Sequence, residues 1–381
     1  MSKKNILLLG IALLAVFTYG VSAGHYKTFP FDLLRDTKYL FLEPQEQAPH
    51  RPQIYQDISK IDGLIRIDDE NDVLKKRNGL IQYIWLNNGF PYDKMPNHVE
   101  ELHTHDFTSL NNLKQIISIT VDDMEYGMNS ISYLFLAESS NDKLIIFHQG
   151  HAEQSFSEDE DKIQLFLDRG YSVLMFSMVT HGLNNEPVID FPEFGNLRLN
   201  SHDHFKLIES DTFHPIKYFF EPISVSLNYI DQKFDFQSYY MVGLSGGGWV
   251  TVVYPAIDPR ITQSYSVAGS FPIWLRAASA NFGDYEQTIP EFYRIANYEE
   301  LYIMNSFGDD RRLVLFYNTF DPCCFSGTLY EEFPFGDSIE SKLNELGKGE
   351  FVILLDDTHN EHKISDWTMN KILELMEDSS T

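Results

Sequence analysis

From residue 115 onward the apolar residues fall in short unbroken blocks. "QIISITVDD", "SISYLFLAES" and "KLIIFHQG" follow one another with turns between them. Short runs rich in β-branched and aromatic residues, bounded by Gly, Asn and Asp, predict strands. After the third block, strand and helix patterns alternate. "DKIQLFLDRG" sets Ile163, Phe166 and Leu167 at helical spacing and stops at Gly170. "YSVLMFSM" is the next strand, and "HPIKYFFEPISVSLNYI" a long helix with a proline in it. "YYMVGLS", "ITQSYSVAGS", "RRLVLFYNTF" and "EFVILLDD" complete the strands. "SDWTMNKILELMEDSS" reads as a closing helix with Ser365 as its N-cap and Trp367, Ile372 and Met376 on or near one face. Strands apolar along their whole length and separated by helices predict an α/β fold with a mostly parallel sheet buried on both faces.

Two regions do not follow this rhythm. Residues 25–114 are polar and proline-rich at first, then carry short apolar stretches such as "LIQYIWL". They are expected to form an N-terminal extension that wraps the core, or a small subdomain. The segment 273–310 is aromatic, holds no strand pattern, and is helical in parts; within a parallel-sheet fold it is expected to cap the site. There is no internal repeat.

The first residues read as an address. Lys3 and Lys4 precede an apolar run from Ile6 to about Ala23, and Val21 and Ala23 have the spacing of a signal-peptidase site. The run is also long enough for an uncleaved anchor, since spanning takes about 17–25 residues. Residues 1–24 are therefore expected to be a signal peptide or a membrane anchor. Either way the body is exported, to the periplasm or the medium, or held at the membrane.

Composition narrows the partners. The chain has 381 residues, 43% of them hydrophobic, enough for a large core. It carries 29 Lys+Arg against 56 Asp+Glu, a net charge of −27. Such a surface repels nucleic acid and anionic headgroups, so nucleic acid is excluded as a partner. Cys323 and Cys324 are the only cysteines and are adjacent. An ordinary disulfide holds its Cα atoms about 4.4–6.8 Å apart, against about 3.8 Å for neighbours in sequence. Two packed free thiols are thus the simpler expectation, and a strained vicinal disulfide the alternative.

"MVGLSGGGWV" places Ser245 between Gly243 and Gly247, after a predicted strand and before a helix-compatible run. G-x-S-x-G at a strand-to-helix turn is the nucleophile-elbow pattern, and serine needs a base held by an acid to act at neutral pH. Asp321 lies on the loop after "LVLFYNTF". His359 and His362 lie on the loop after "FVILLDD". "HQGH", residues 148–151, follows another strand end, with Gly150 free to turn backbone N–H groups. His181 and Gly182 end the next strand. "SHDHF" at 201–205 hints at a metal through His202 and His204, but reads more simply as a polar surface loop; no zinc spacing, Walker loop or dinucleotide fingerprint is present. No metal and no cofactor are expected.

In chain order, "HQGH", "GYSVLMFSMVTHG", "GLSGG", "NTFDP" and "THNEHKIS" resemble the α/β-hydrolase superfamily over about two thirds of the chain. The resemblance implies an α/β-hydrolase fold over 115–381, with helices on both sheet faces and a helical cap insertion. It implies Ser245 as nucleophile, Asp321 as the acid, and a histidine base. "HKIS" favours His362, with His359 as the alternative. Gly246 and His151 would supply the oxyanion N–H groups, although many members carry H-G-G or H-G-x where this chain has "HQGH". The expected activity is that of an exported serine hydrolase, cleaving an acyl ester of a small molecule or of the cell envelope through an acyl-enzyme. A serine peptidase on the same fold, or an inactive hydrolase fold used for binding, are the alternatives.

Overall fold

A computed structural model describes residues 62–378 apart from 104–106, 108, 154 and 277–281, together with 16 and 18–20. The expected address segment, the cleavage site and the start of the extension therefore lie outside the described residues. Among the described residues no helix is long and apolar enough to cross a membrane.

Nine strands form one sheet in the order β1-β2-β3-β5-β4-β8-β9-β10-β11. In chain order they are β1 (His98–Leu102), β2 (Leu113–Val121), β3 (Ser130–Ala137), β4 (Lys143–His148), β5 (Ser172–Phe176), β8 (Ser238–Leu244), β9 (Ile261–Val267), β10 (Arg312–Asn318) and β11 (Glu350–Asp356). A separate hairpin joins β6 (Val188–Phe191) to β7 (Gly195–Arg198). From β1 to β5 the pairing is antiparallel; from β5 through β4, β8, β9 and β10 to β11 it is parallel. The parallel strands β4, β5, β8 and β10 are almost wholly buried, as their unbroken apolar runs require. Edge strand β1 is exposed and carries Glu100 and Glu101, charges that discourage pairing with another chain.

The helices of eight residues or more are α1 (Glu70–Trp85), α2 (Glu160–Leu167), α3 (Glu221–Lys233), α4 (Gly246–Ile257), α5 (Tyr298–Ser306), α6 (Gly336–Leu346) and α7 (Asp366–Asp378). The proline-containing helix is shorter than its pattern: Pro215–Phe219 forms a 3-10 turn, and α3 begins afresh with Pro222 in its first turn, where the missing N–H costs nothing. Every residue of α4 is buried, so this helix is apolar all round rather than on one stripe. Ser365 caps α7 by accepting from Thr368 N–H at 3.0 Å. Ile372 and Met376 are fully buried beneath that helix, while Trp367 is 37% exposed and leaves the expected apolar face.

Residues 62–102 are not a separate subdomain. β1 extends the main sheet, and α1 is tied to α4 and α3: Arg77 Nε donates to Ala256 O of α4 at 2.9 Å, and Trp85 Nε1 to the buried Glu221 of α3 at 2.9 Å. The segment 273–310 also departs from a simple cap. Its last part, α5, is buried along its whole length between α4, α6 and the sheet, so it is a crossover helix of the core. The short turn Tyr285–Thr288 rests on the helical turn His202–Leu207.

Candidate active site

Ser245 stands between the end of β8 and the start of α4 with φ 55° and ψ −120°. A non-glycine residue in the left-handed region is strained and persists only where its surroundings fix it. Here Ser245 N–H donates to Val267 O of neighbouring β9 at 2.9 Å, and its carbonyl accepts from Trp249 N–H at 3.0 Å. The flanking glycines are steric requirements. A Cβ on Gly243 would lie 2.3 Å from Gly247 O, and one on Gly247 would lie 2.1 Å from His148 O. The turn closes only because both side chains are absent. The first N–H groups of α4, beginning with Gly246, have no intrahelical partner and face the turn.

The loop after β4 runs beside this elbow. A Cβ on Gly150 would touch Ser245 Cβ at 3.0 Å. Gln149 anchors the loop from below: its Nε2 donates to Asp159 Oδ2 at 2.7 Å and Ser155 O at 2.9 Å, and its Oε1 accepts from Ser177 Oγ at 2.9 Å. The His151 imidazole lies over Gly246, where a Cβ would come within 2.5 Å of its Cε1. His148 and His151 are neutral; burial pulls the first down to about 4 and the second to about 3. His181 donates from Nδ1 to Val179 O at 2.9 Å and sits beside His151 rather than at the elbow.

Asp321 follows the end of β10, and its carboxylate is fully buried. Its Oδ2 lies 2.7 Å from His362 Nδ1, and its Oδ1 accepts Cys323 N–H at 2.7 Å. With Nδ1–H donating to a carboxylate, Nε2 of a neutral ring carries the lone pair. His362 Nε2 is buried and makes no hydrogen bond among the described residues. The His362 loop is fixed by Asn318, whose Nδ2 donates to the carbonyls of Glu361 and Lys363 on either side, at 3.2 and 3.0 Å. His359 goes elsewhere, with Nε2 3.3 Å from Asp356 Oδ2 and Nδ1 accepting Glu361 N–H at 3.1 Å. The structure therefore brings His362, and not His359, to Asp321.

Three features differ from the sequence expectation. Cys323 and Cys324 are joined in a disulfide across the ordinary 3.8 Å Cα spacing of neighbours; side chains turned to the same side close the bond that the usual separation argued against. His202 is buried at 3% exposure, not part of a polar surface loop, because its ring packs on Phe205 and Phe219. Glu153, which no motif marked, brings a buried Oε2 with no hydrogen-bond partner among the described residues to within 3.2 Å of the Cβ position of Gly150, and burial raises its pKa. Only the folded loop reveals Glu153, Gln149 and Asn318; an isolated polar residue near a strand end carries no spacing signal.

A mostly parallel sheet with a strand–serine–helix elbow, and an acid and a histidine on the loops after the last two strands, defines an α/β-hydrolase fold. No protein-family model and no curated protein matches the chain. Solved structures do. An acetyl xylan esterase from Paenibacillus sp. R4 is 14% identical with a TM-score of 0.52, covering 84% of this chain and 99% of its own. Acetyl xylan esterase 1 from Thermoanaerobacterium sp. JW/SL YS485 is 12% identical with a TM-score of 0.52, covering 85% and 99%. The methylesterase BT1017 is 12% identical with a TM-score of 0.54, covering 84% and 66%. The chain has their fold.

Proposed function

We propose that the chain is a serine hydrolase that cleaves acyl esters of small molecules. Ser245 Oγ attacks the ester carbonyl carbon while His362 Nε2 takes its proton. The resulting imidazolium is held by Asp321, whose Oδ2 already fixes the Nδ1–H tautomer. Charge gathers on the carbonyl oxygen, where the N–H groups of Gly246 and His151 stabilise it. Collapse breaks the ester C–O bond. His362 returns the proton to the leaving alcohol, and Ser245 is left acylated. Water, deprotonated by the same Nε2, then attacks the acyl carbon; the bond to Ser245 Oγ breaks, His362 returns the proton to that oxygen, and the acid leaves.

The observation that carries this reading is the positive φ of Ser245 at a strand-to-helix turn, strain that a plain glycine-rich connection has no use for. The hydrogen bond from the Ser245 hydroxyl to His362 Nε2 is not formed in the structure; such bonds often tighten only with substrate bound. The names of the structural neighbours, acetyl xylan esterase and methylesterase, favour an ester substrate, and the two acetyl xylan esterases favour a small acyl group.

A fluorophosphonate probe tests the mechanism. Wild type is expected to be labelled, and Ser245→Ala, folded as judged by circular dichroism, to lose labelling. An unlabelled wild type, or undiminished labelling of the variant, overturns the reading. Hydrolysis of acetyl esters faster than of peptide amides separates esterase from peptidase.

A further inference from the structure

Four side chains from three distant segments converge beside the oxyanion loop, and the proposed acyl transfer uses none of their side-chain atoms. His151 comes from the loop after β4 and His202 from the turn His202–Leu207. Asp284 and Glu286 come from the turn that begins Tyr285–Thr288. One donor atom from each lies within 4.8 Å of all the others.

His202 fixes the polarity of the cluster. Its Nε2 lies 2.9 Å from Val179 O, which can only accept. Nε2 therefore holds the proton, and Nδ1 of the neutral ring presents a lone pair. That lone pair faces His151 Nε2 at 3.2 Å and Glu286 Oε2 at 3.1 Å. Asp284 Oδ2 stands 3.5 Å and Glu286 Oε1 3.9 Å from the same His151 nitrogen. Glu286 is fully buried, and its Oε1 has no hydrogen-bond partner among the described residues. His202 and Glu286 are out of water, while His151 and Asp284 are partly exposed. Arg276 offers positive charge to the two carboxylates but none to the facing imidazole lone pairs, which repel the buried carboxylate unless a cation sits among them. One proton on His202 Nδ1 would answer Glu286 Oε2 and leave Oε1 without a donor. A divalent cation answers all four groups.

The spacing fits such an ion. Tetrahedral zinc with bonds of about 2.0–2.1 Å holds its ligands about 3.3 Å apart. The separations among His151, His202 and the two carboxylates that are in direct reach run from 3.1 to 3.9 Å around that edge, with all four donors within 4.8 Å of one another. The Val179 carbonyl behind His202 is the outer partner that ligating histidines ordinarily have. A mixed imidazole and carboxylate set suits zinc or a similar first-row ion, whereas calcium and magnesium prefer oxygen alone.

The geometry points to a zinc-type divalent-cation site formed by His151, His202, Asp284 and Glu286. The ion would tie the loop after β4 to the turn at 284–286. Because the His151 ring rests on Gly246, it would also steady the oxyanion loop, a consequence that rests on the proposed hydrolase reading; the site itself does not.

Zinc content decides the matter without any activity assay. Full-length protein is stripped with a chelator, dialysed against zinc and assayed by elemental mass spectrometry. About one zinc per chain is expected, with a higher Tm than the stripped protein. Glu286→Gln and Asp284→Asn are each expected to weaken zinc binding about tenfold or more and to lose the Tm response. The Asp284 side chain is 48% exposed, so its variant keeps the test alive if Glu286→Gln does not fold. Asp321→Asn removes a carboxylate from the other group of donors, Asp321, Cys323 and His362, and is expected to bind zinc like wild type. Wild type that retains no zinc overturns the proposal. So does Asp284→Asn binding as tightly as wild type, or a loss confined to Asp321→Asn.

Discussion

Asp321 and Asp356 stand at the ends of the adjacent strands β10 and β11, and each faces a histidine of the same short loop. The difference lies in what else each carboxylate does. Asp356 is saturated: it accepts Thr358 N–H at 2.9 Å, Thr358 Oγ1 at 2.6 Å, Thr368 Oγ1 at 2.8 Å and the Ser365 hydroxyl. Burial would raise its pKa, but those hydrogen bonds outweigh it and hold Asp356 below the usual carboxylate range. It is a fastener that ties strand end, loop and the cap of α7. Asp321 binds one backbone N–H and one histidine, and its histidine ends in a lone pair aimed at nothing in the described residues. A carboxylate filled by hydroxyl and amide donors builds structure, and His359 only stands beside it, Nε2 at 3.3 Å without a hydrogen bond; a carboxylate that grips its histidine at 2.7 Å and leaves the far nitrogen open is available for chemistry.

The open pair is where substitution should cost most in rate. His362→Ala is expected to lower kcat by roughly 10⁴-fold or more with little change in KM, because the base acts in proton transfer and not in ground-state binding. Asp321→Asn should cost about as much by leaving the imidazole in the wrong tautomer, and the double variant little more than either single one. Steady-state kinetics on an acetyl ester checks all three. A double variant whose loss is the product of the two single losses would show that the residues do not act as a unit.

The saturated pair should fail in stability instead. Asp356→Ala strands several buried donors and is expected to cost about 2–4 kcal/mol in urea unfolding, while kcat per folded molecule falls far less than in Asp321→Asn. The pH dependence follows from the depressed pKa. The stabilisation by Asp356 is present above the unfolded value of about 3.9 and is lost as pH falls through the lower folded value. The gap between wild type and Asp356→Ala should therefore close in acid. A gap that stays constant down to pH 3 would remove Asp356 as the fastener.

Much of this contrast was legible in the chain, and the illegible part has a physical cause. Most parallel strands announced themselves as apolar runs, β9 with its Gln263, Ser264 and Ser266 excepted, and Gly243 and Gly247 marked the elbow because backbone crowding there tolerates no Cβ. Asp321 followed from its place after a strand end. The choice between His359 and His362 rested on a short likeness, since two histidines three residues apart differ only in which carboxylate the loop presents to them. The cluster of His151, His202, Asp284 and Glu286 has no spacing signal, because its members meet only through the tertiary fold. Segment 298–306 read as part of a cap because its aromatic residues face the core from every side, and no apolar stripe distinguishes such a helix from a lid.

The smallest effect should come from His359, and it sharpens the contrast most. Its Nδ1 accepts from Glu361 N–H, so the proton sits on Nε2, toward Asp356. That leaves no lone pair with which to take a proton from serine. His359→Ala removes one acceptor and one contact to a carboxylate that keeps three other side-chain partners. A loss of about 0.5–1.5 kcal/mol is expected, with kcat within a few-fold of wild type. His359→Gln, which can accept and donate at similar reach, should recover most of the stability. Urea midpoints and ester kinetics on the two variants measure both quantities together. A dead His359→Ala beside a near-normal His362→Ala would transfer the base to His359 and would mean that the loop rearranges when substrate binds. A dead His359→Ala restored by glutamine, which cannot act as a base, would instead mean that this loop must be held by Asp356 for His362 to work.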